Sequence, residues 1–230
     1  HVSMDPAKAI AHRTDPSEFE YTRRDAIIYA LGVGCKTATD IRYLYEGADN
    51  FMPLPTFIVN PGLAANSGML SWPGIEFDLT RILHGEQYIE LYGPLPAEGH
   101  LRSETRVVDL IDKGSGALIL SEVTSYDVRT NKKVAMQQIC TFQVGSGNFG
   151  GARTSKHERK GAEIPKRPAD AVLSDATTVD QATLYRMGSG DMNPLHIDPE
   201  FAKMGGFKQP ILHGLCSLGF ATRHVIKAFA

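Results

Sequence analysis

The chain has 230 residues, 42% of them hydrophobic and 22% charged, with a formal net charge of −2. That length suffices for a large buried core in one or two domains, and the near-neutral balance gives no global attraction to nucleic acid or to an anionic membrane surface. No apolar run is long enough to span a bilayer, the N-terminus lacks a secretory apolar segment, and Cys35, Cys140 and Cys216 form no CxxC pair, so they read as buried thiols of a reducing compartment.

His1–Met4 reads as a tag remnant, and residues 1–16 together as a flexible lead-in. Residues 17–33 begin at Ser17, carry Phe19, Ile27, Ile28 and Leu31 at near-helical spacing, and end at Gly32 and Gly34, which predicts one capped helix. Pro53, Pro55 and Pro61 break the apolar pieces that follow. Four β-like runs come next, at 83–92, 101–111, 117–128 and 133–144. Turn signals at Gly93-Pro94, Lys113–Gly116 and Thr130-Asn131 separate them, so they are expected as consecutive antiparallel strands. In the last run Val134, Met136, Cys140, Phe142 and Val144 alternate onto one face.

Periodicity stops between 145 and 170. Six basic residues from Arg153 to Arg167 stand there against Glu158 and Glu163, and the stretch is read as a linker between halves 17–144 and 171–230, its charges a solvated face in preference to a contact for anionic phosphates. Helices are predicted over 179–187 and from about Gly214, the second with Leu215, Leu218, Thr222, Val225, Ile226 and Phe229 on one face. The second half shows no strand pattern. Its last helix needs a surface to bury against, either the sheet of the first half or, the reading preferred, further strands beyond Ala230. The final Lys-Ala-Phe-Ala is neither a Ser-Lys-Leu-type address nor read as the natural end.

The chemistry concentrates in residues 186–214. Asp191 and His196 flank an Asn193-Pro194 turn, which lets an acid and an imidazole converge on one water. Pro-Ile-Leu-His-Gly then leads into the apolar helix, whose free N–H groups suit a developing oxyanion. These are the parts needed to add water across a polarised double bond. For a lone Asp-x4-His the blander reading, a turn-capping Asp191 and a core histidine, would be preferred. Three other patterns carry less. Gly145-Ser146-Gly147-Asn148-Phe149-Gly150 fits GxGxxG after a strand, but linker rather than apolar helix follows. His196, Asp198 and His213 are metal-ligand types without a closed set of four, and Ser189 between glycines is no nucleophile elbow.

The segment SGDMNPLHIDPEFA, with GGF and PILHG after it, resembles the signature of the MaoC-like (R)-hydratases, a hot-dog-fold family, in its type 2 enoyl-CoA hydratase form. The likeness runs upstream through ALGVG (30–34), LYEGADNF (44–51), LPTF (54–57), LHGEQYIELYGPLP (83–96), DKGSGALI (112–119), VGSGNFGG (144–151) and IPKRPADAVLSD (164–175), and so spans nearly the whole chain after about residue 18. The resemblance implies an α+β double hot dog, two antiparallel sheets each wrapped on a helix: a degenerate acyl-tail repeat at 17–144 and a catalytic repeat at 171–230 that lacks its C-terminal strands. It implies reversible hydration of trans-2-enoyl-CoA to (3R)-3-hydroxyacyl-CoA in fatty acid β-oxidation, without metal or other cofactor. Asp191 and His196 match the pair that binds the attacking water, Gly214 the backbone N–H that holds the thioester oxygen, and Asn193 the same loop. His84, Gly85 and Lys113 match acyl-CoA contacts, and Glu46 a supporting acid; without the resemblance these would read as turn or surface residues. The family also implies a homodimer, fusion to a dehydrogenase module and a peroxisomal address, with neither nucleic acid nor membrane as partner. In one respect the chain departs: Arg186–Asp191 is one residue longer than the family's Arg-x-Ser-Gly-Asp. The alternative from another class is a non-catalytic acyl-CoA- or lipid-binding hot-dog module.

Overall fold

The computed structural model describes residues 4–230, and the tag-remnant reading of residues 1–3 lies outside them. The expected flexible lead-in is instead built into the molecule. Helix α1 (Pro6–Ala11) is capped by Asp5, and the Trp72 indole N–H donates to the Ala9 carbonyl at 2.9 Å. Met4 and Ala9 are buried in a small core with Trp72, Val107, Leu110 and Ile119.

The single helix expected over 17–33 is two elements, strand β1 (Ser17–Tyr21) and helix α2 (Arg23–Gly32). The cap is Thr22, not Ser17: its hydroxyl accepts from the Asp25 N–H while the Asp25 carboxylate accepts from the Thr22 N–H, a reciprocal capping box. That box fixes where the helix begins and leaves 17–21 extended. Helix α2 buries Ala26, Tyr29, Ala30 and Gly32, and Leu31 is exposed.

Short helix α3 (Ile41–Leu44) precedes a 3-10 turn (Pro55–Ile58) that runs into α4 (Val59–Ala65) and a second 3-10 turn (Asn66–Ser71). The four predicted strands are present as β2 (Ile82–Leu91), β3 (Gly99–Asp112), β4 (Gly116–Asp127) and β5 (Lys133–Val144). They join β1 in one open antiparallel sheet of order β1-β3-β4-β5-β2. Strands β3 to β5 follow one another as hairpins, whereas β2 pairs with β5 and not with the consecutive β3.

Helix α4 packs across β1, β3 and β4. The face of β5 turned to this layer is Ala135, Gln137, Ile139, Thr141 and Gln143, all buried. The more apolar set is the other face, where Val134, Met136 and Phe142 are only partly covered and Val144 is exposed. The inner glutamines are satisfied by irregular backbone: Gln137 Nε2 donates to the Ile58 carbonyl at 2.9 Å, and Gln143 Nε2 to that of Glu76 at 2.8 Å.

After β5 there is no helix or strand until α5 (Gln181–Ser189), so the irregular stretch extends past the predicted 170. Helices α6 (Pro199–Met204) and α7 (Gly214–Phe229) complete the chain, and among the described residues none of the helices is long and apolar enough to cross a membrane. Helix α7 buries Leu215, Cys216, Gly219 and Arg223, while Val225 is 58% and Phe229 66% exposed, so its buried line is rotated from the expected stripe. The cause is the C-terminal end of α2, whose carbonyls lack donor partners inside their own helix. The Gly32 carbonyl accepts from Gln181 Nε2 at 2.7 Å and from the Cys216 thiol at 3.6 Å, and the Val33 carbonyl from Arg223 Nε at 3.1 Å. One core cluster spans both halves, joining Tyr29, Leu54, Phe57 and Ile58 to Tyr185, Leu215 and Cys216.

Candidate active site

A cavity of about 580 Å³ opens between the two halves. Its walls are largely apolar, with Leu63, Phe77, Leu83 and Ile139 from the first half, and its polar end carries Asp191, Asn193, His196, His213 and Gly214. An apolar trough with a few convergent polar groups at one end is how sites for small acyl ligands are built.

The polar end is shaped by how α5 stops. Gly190 takes the left-handed conformation (φ 73°) and its N–H returns to the Arg186 carbonyl, closing the helix. Gly188 lies inside α5, where a β-carbon would run into the backbone of Tyr29, and its carbonyl accepts from Asn60 Nδ2 at 3.2 Å. Two consecutive side-chain turns follow. Asp191 Oδ1 accepts the Asn193 N–H at 3.1 Å, and Asn193 Oδ1 accepts the Leu195 N–H at 3.0 Å, capping the 3-10 turn Pro194–His196. The turn-capping and the chemical readings of Asp191 are therefore compatible, because one carboxylate oxygen caps the turn while the residue also lines the cavity.

His196 is fixed by its Nδ1, 2.8 Å from the Ile211 carbonyl. A carbonyl only accepts, so Nδ1 carries the proton and Nε2 presents its lone pair. The His213 ring stacks on that of His196, centroids 3.7 Å apart and planes at 27°, and its Nε2 lies 3.4 Å from the Asp191 carbonyl oxygen. Burial and the adjacent His196 ring push the His213 pKa down to about 4. Polar atoms of Asp191, His196 and His213 lie within 4.8 Å of one another, which makes this trio the metal-capable group among the described residues.

Gly214 opens α7, where the first-turn N–H groups have no acceptor in their own helix and the helix dipole is positive. A β-carbon at Gly214 would meet nothing within 4 Å, so the approach to this backbone is open. From the first half, His84 reaches the cavity because β2 slips register between His84 and Glu86. Gly85 is the extra residue, and the bulge places both His84 and Gln87 on the inner face where strict alternation would separate them. Burial lowers the His84 pKa from its ordinary 6.5, and its buried Nε2 has no hydrogen-bond partner.

The other expected site residues lie elsewhere. Gly85 does not line the cavity, and Glu46 is exposed after α3, outside it. Lys113 sits on the β3–β4 turn, where its Nζ donates to the Arg153 carbonyl at 3.0 Å and to Glu158 at 3.3 Å, tying the basic linker to the sheet. The linker is thus partly held, with Arg159 stacked 4.2 Å from the Tyr88 ring centroid. The GxGxxG pattern is accounted for in the same region: the N–H groups of Asn148, Phe149 and Gly150, with that of Gly114, all donate to the buried Asp112 carboxylate. This loop wraps an anion belonging to its own chain. Asp198 caps α6 through the Glu200 N–H, and Ser189 Oγ accepts from the Asp191 N–H. The His213 stack and the Asn60 link were not foreseen; the only sequence signal was the histidine preceding the helix-opening glycine.

Comparison with known proteins agrees with this geometry. Residues 19–145 match the model described as MFE-2 hydratase 2 N-terminal domain, and residues 160–230 that of the MaoC like domain. The chain is 48% identical over 226 residues to the mouse peroxisomal multifunctional enzyme type 2, covering 96% of this chain and 30% of that protein. It is 41% identical over 231 residues to a probable enoyl-CoA hydratase 2 of Dictyostelium discoideum, covering 99% of this chain and 78% of that one. A crystal structure of a MaoC-like dehydratase from Phytophthora capsici superimposes with a TM-score of 0.85 at 33% identity, over 98% of this chain and 78% of that one. The open five-stranded sheet with its helical layer is thus the hot-dog architecture of these neighbours, and the chain belongs to the MaoC-like hydratase 2 family.

Proposed function

We propose that this chain catalyses reversible syn hydration of trans-2-enoyl-CoA to (3R)-3-hydroxyacyl-CoA; the Dictyostelium relative is named a probable enoyl-CoA hydratase 2. The observation that carries the reading is the meeting of Asp191, His196 and the N-terminus of α7 at one end of an apolar cavity. The acyl chain lies along the trough walls. Water is held between the free oxygen of Asp191 and Nε2 of His196. As its oxygen bonds to Cβ, the Asp191 carboxylate takes one proton while Nε2 of His196 accepts a hydrogen bond from the other hydrogen, and the carbon–carbon double-bond electrons move toward the thioester oxygen. The Gly214 N–H stabilises that oxygen as charge develops. The proton taken from water then returns to Cα on the same face, delivered by Asp191, so no atom or electron is left over. His84, with its unpaired buried nitrogen, supplies a polar contact from the first half. Asn193 acts by shaping the loop and Gly85 by turning His84 inward, while Lys113 and Glu46 lie away from this centre.

The test is hydration of trans-2-decenoyl-CoA with the product resolved on a chiral column. Asp191→Asn and His196→Gln are expected to lower turnover by about 10²–10⁴-fold with the fold retained. An (S)-product, or near-wild-type turnover in both variants, overturns the assignment. Since the chain spans under a third of the mouse enzyme, we further propose that it works within a longer peroxisomal multifunctional protein, fused to a dehydrogenase and assembled as a homodimer.

A further inference from the structure

One buried titratable side chain of the site has no role in this mechanism. His213 borders the cavity but is only 1% exposed, and its ring lies face to face with that of His196. We propose that His213 is a positioning residue, an aromatic platform that fixes the plane of His196 beside Asp191.

The need for a platform follows from how His196 is held. One hydrogen bond at Nδ1 anchors a point on the ring but leaves it free to swing about the line to the Ile211 carbonyl. Such a swing would carry Nε2 away from the water. The His213 face, 3.7 Å away, blocks that motion on one side. His213 is itself held: it is the residue before Gly214 at the start of α7, its ring packs 4.8 Å from Tyr185, and Tyr185 packs 6.1 Å from Tyr29. Its Nε2 also approaches the Asp191 carbonyl oxygen, so the platform touches the backbone of the pair's other member. Its Nδ1 is buried without a partner, which points to the ring rather than that nitrogen as the useful part. Burial keeps His213 neutral at ordinary working pH, so the platform sets no second cation beside the pair.

This inference rests on the hydratase reading for its kinetic arm alone. His213→Phe, His213→Gln and His213→Ala would each be assayed with trans-2-decenoyl-CoA, and the ring nitrogens of His196 followed by ¹⁵N NMR. The Ala and Gln variants are expected to lose about a hundredfold in kcat with KM nearly unchanged, as a misplaced catalytic group does. Phe is expected to restore most of it. In the spectra, wild type and His213→Phe should show His196 protonated at Nδ1, and Gln and Ala should show signals averaged over tautomers. A Phe variant as impaired as Gln, or a Gln variant with wild-type kcat and an unaltered His196 spectrum, overturns the platform. Should the wild-type chain show no hydration, the hydratase reading falls and the NMR comparison still decides the inference.

Discussion

Gly188 offers the sharpest test of how the site is held. Helix α5 crosses α2 through two glycines, Gly32 and Gly188, and at the second there is no room for a side chain. A β-carbon there would lie 2.6 Å from Tyr29 Cα, 2.7 Å from Tyr29 N and 2.8 Å from the Ile28 carbonyl oxygen. All three are backbone atoms inside a helix, so no side-chain rotation relieves them. Ordinary contact starts near 3.4 Å, so in Gly188→Ala the end of α5 must retreat by about 0.8 Å. Overpacking of this kind costs about 1–3 kcal/mol. The retreat would also stretch the Asn60–Gly188 hydrogen bond and carry the Asp191 loop with it. A catalytic carboxylate misplaced by nearly 1 Å lowers turnover by about a hundredfold. Thermal melting followed by circular dichroism and steady-state enoyl-CoA kinetics would measure both effects. Gly68→Ala is the control, since a β-carbon there meets nothing within 4 Å. A Gly188→Ala protein with unchanged melting temperature and kcat within twofold of wild type would refute the reasoning.

Asp112 holds the glycine-rich loop through four backbone donors, and its pKa is lowered below the ordinary 3.8, chiefly by the Asn148 N–H. A depressed folded-state pKa contributes stability above the unfolded value that is lost as pH falls through the folded one. Asp112→Asn should therefore melt below wild type at pH 7, with the gap closing as pH drops under about 4; a pH-independent gap in melting curves would count against this. The three thiols should resist alkylation in the native protein, because burial pushes Cys35 and Cys216 up to about 12 and Cys140 to about 11. Mass spectrometry after iodoacetamide at pH 8 should show modification only once denaturant is added. Removing the capping hydroxyl in Thr22→Ala should cost about 1 kcal/mol in chemical denaturation, and a loss near zero would mean the box adds nothing.

What the sequence made legible was what is local. Four strands were marked by alternation and turn residues, and the Asp191–His196 loop by Asn-Pro and the glycine-opened helix. The rest depends on partners far along the chain. Residues 17–21 form a strand because β3 pairs with them, Phe19 with Leu101, which no window of 17–33 contains. Strand β2 lies beside β5, and the bulge at Gly85 that turns His84 inward is visible only in that pairing. The buried line of α7 includes Arg223, a residue no apolar pattern would choose, since its purpose is to reach the Val33 carbonyl. His213 drew notice only as a metal-ligand type; its neighbour His196 is seventeen positions away, and only the folded loop stacks them.

The capping of α2 by Gln181, Cys216 and Arg223 bears on how the molecule would respond to being cut. The carbonyl end of a helix in the first half finds its donors in the second, and the aromatic run from Phe57 through Tyr29 and Tyr185 to His213 crosses the same boundary. Between the halves runs a stretch of some thirty-five residues without helix or strand, rich in lysine and arginine. A protease that nicks this stretch would therefore leave two fragments that stay together and melt as one. Expressed apart, each half would lack the other's donors or acceptors; mixed, they should reassemble.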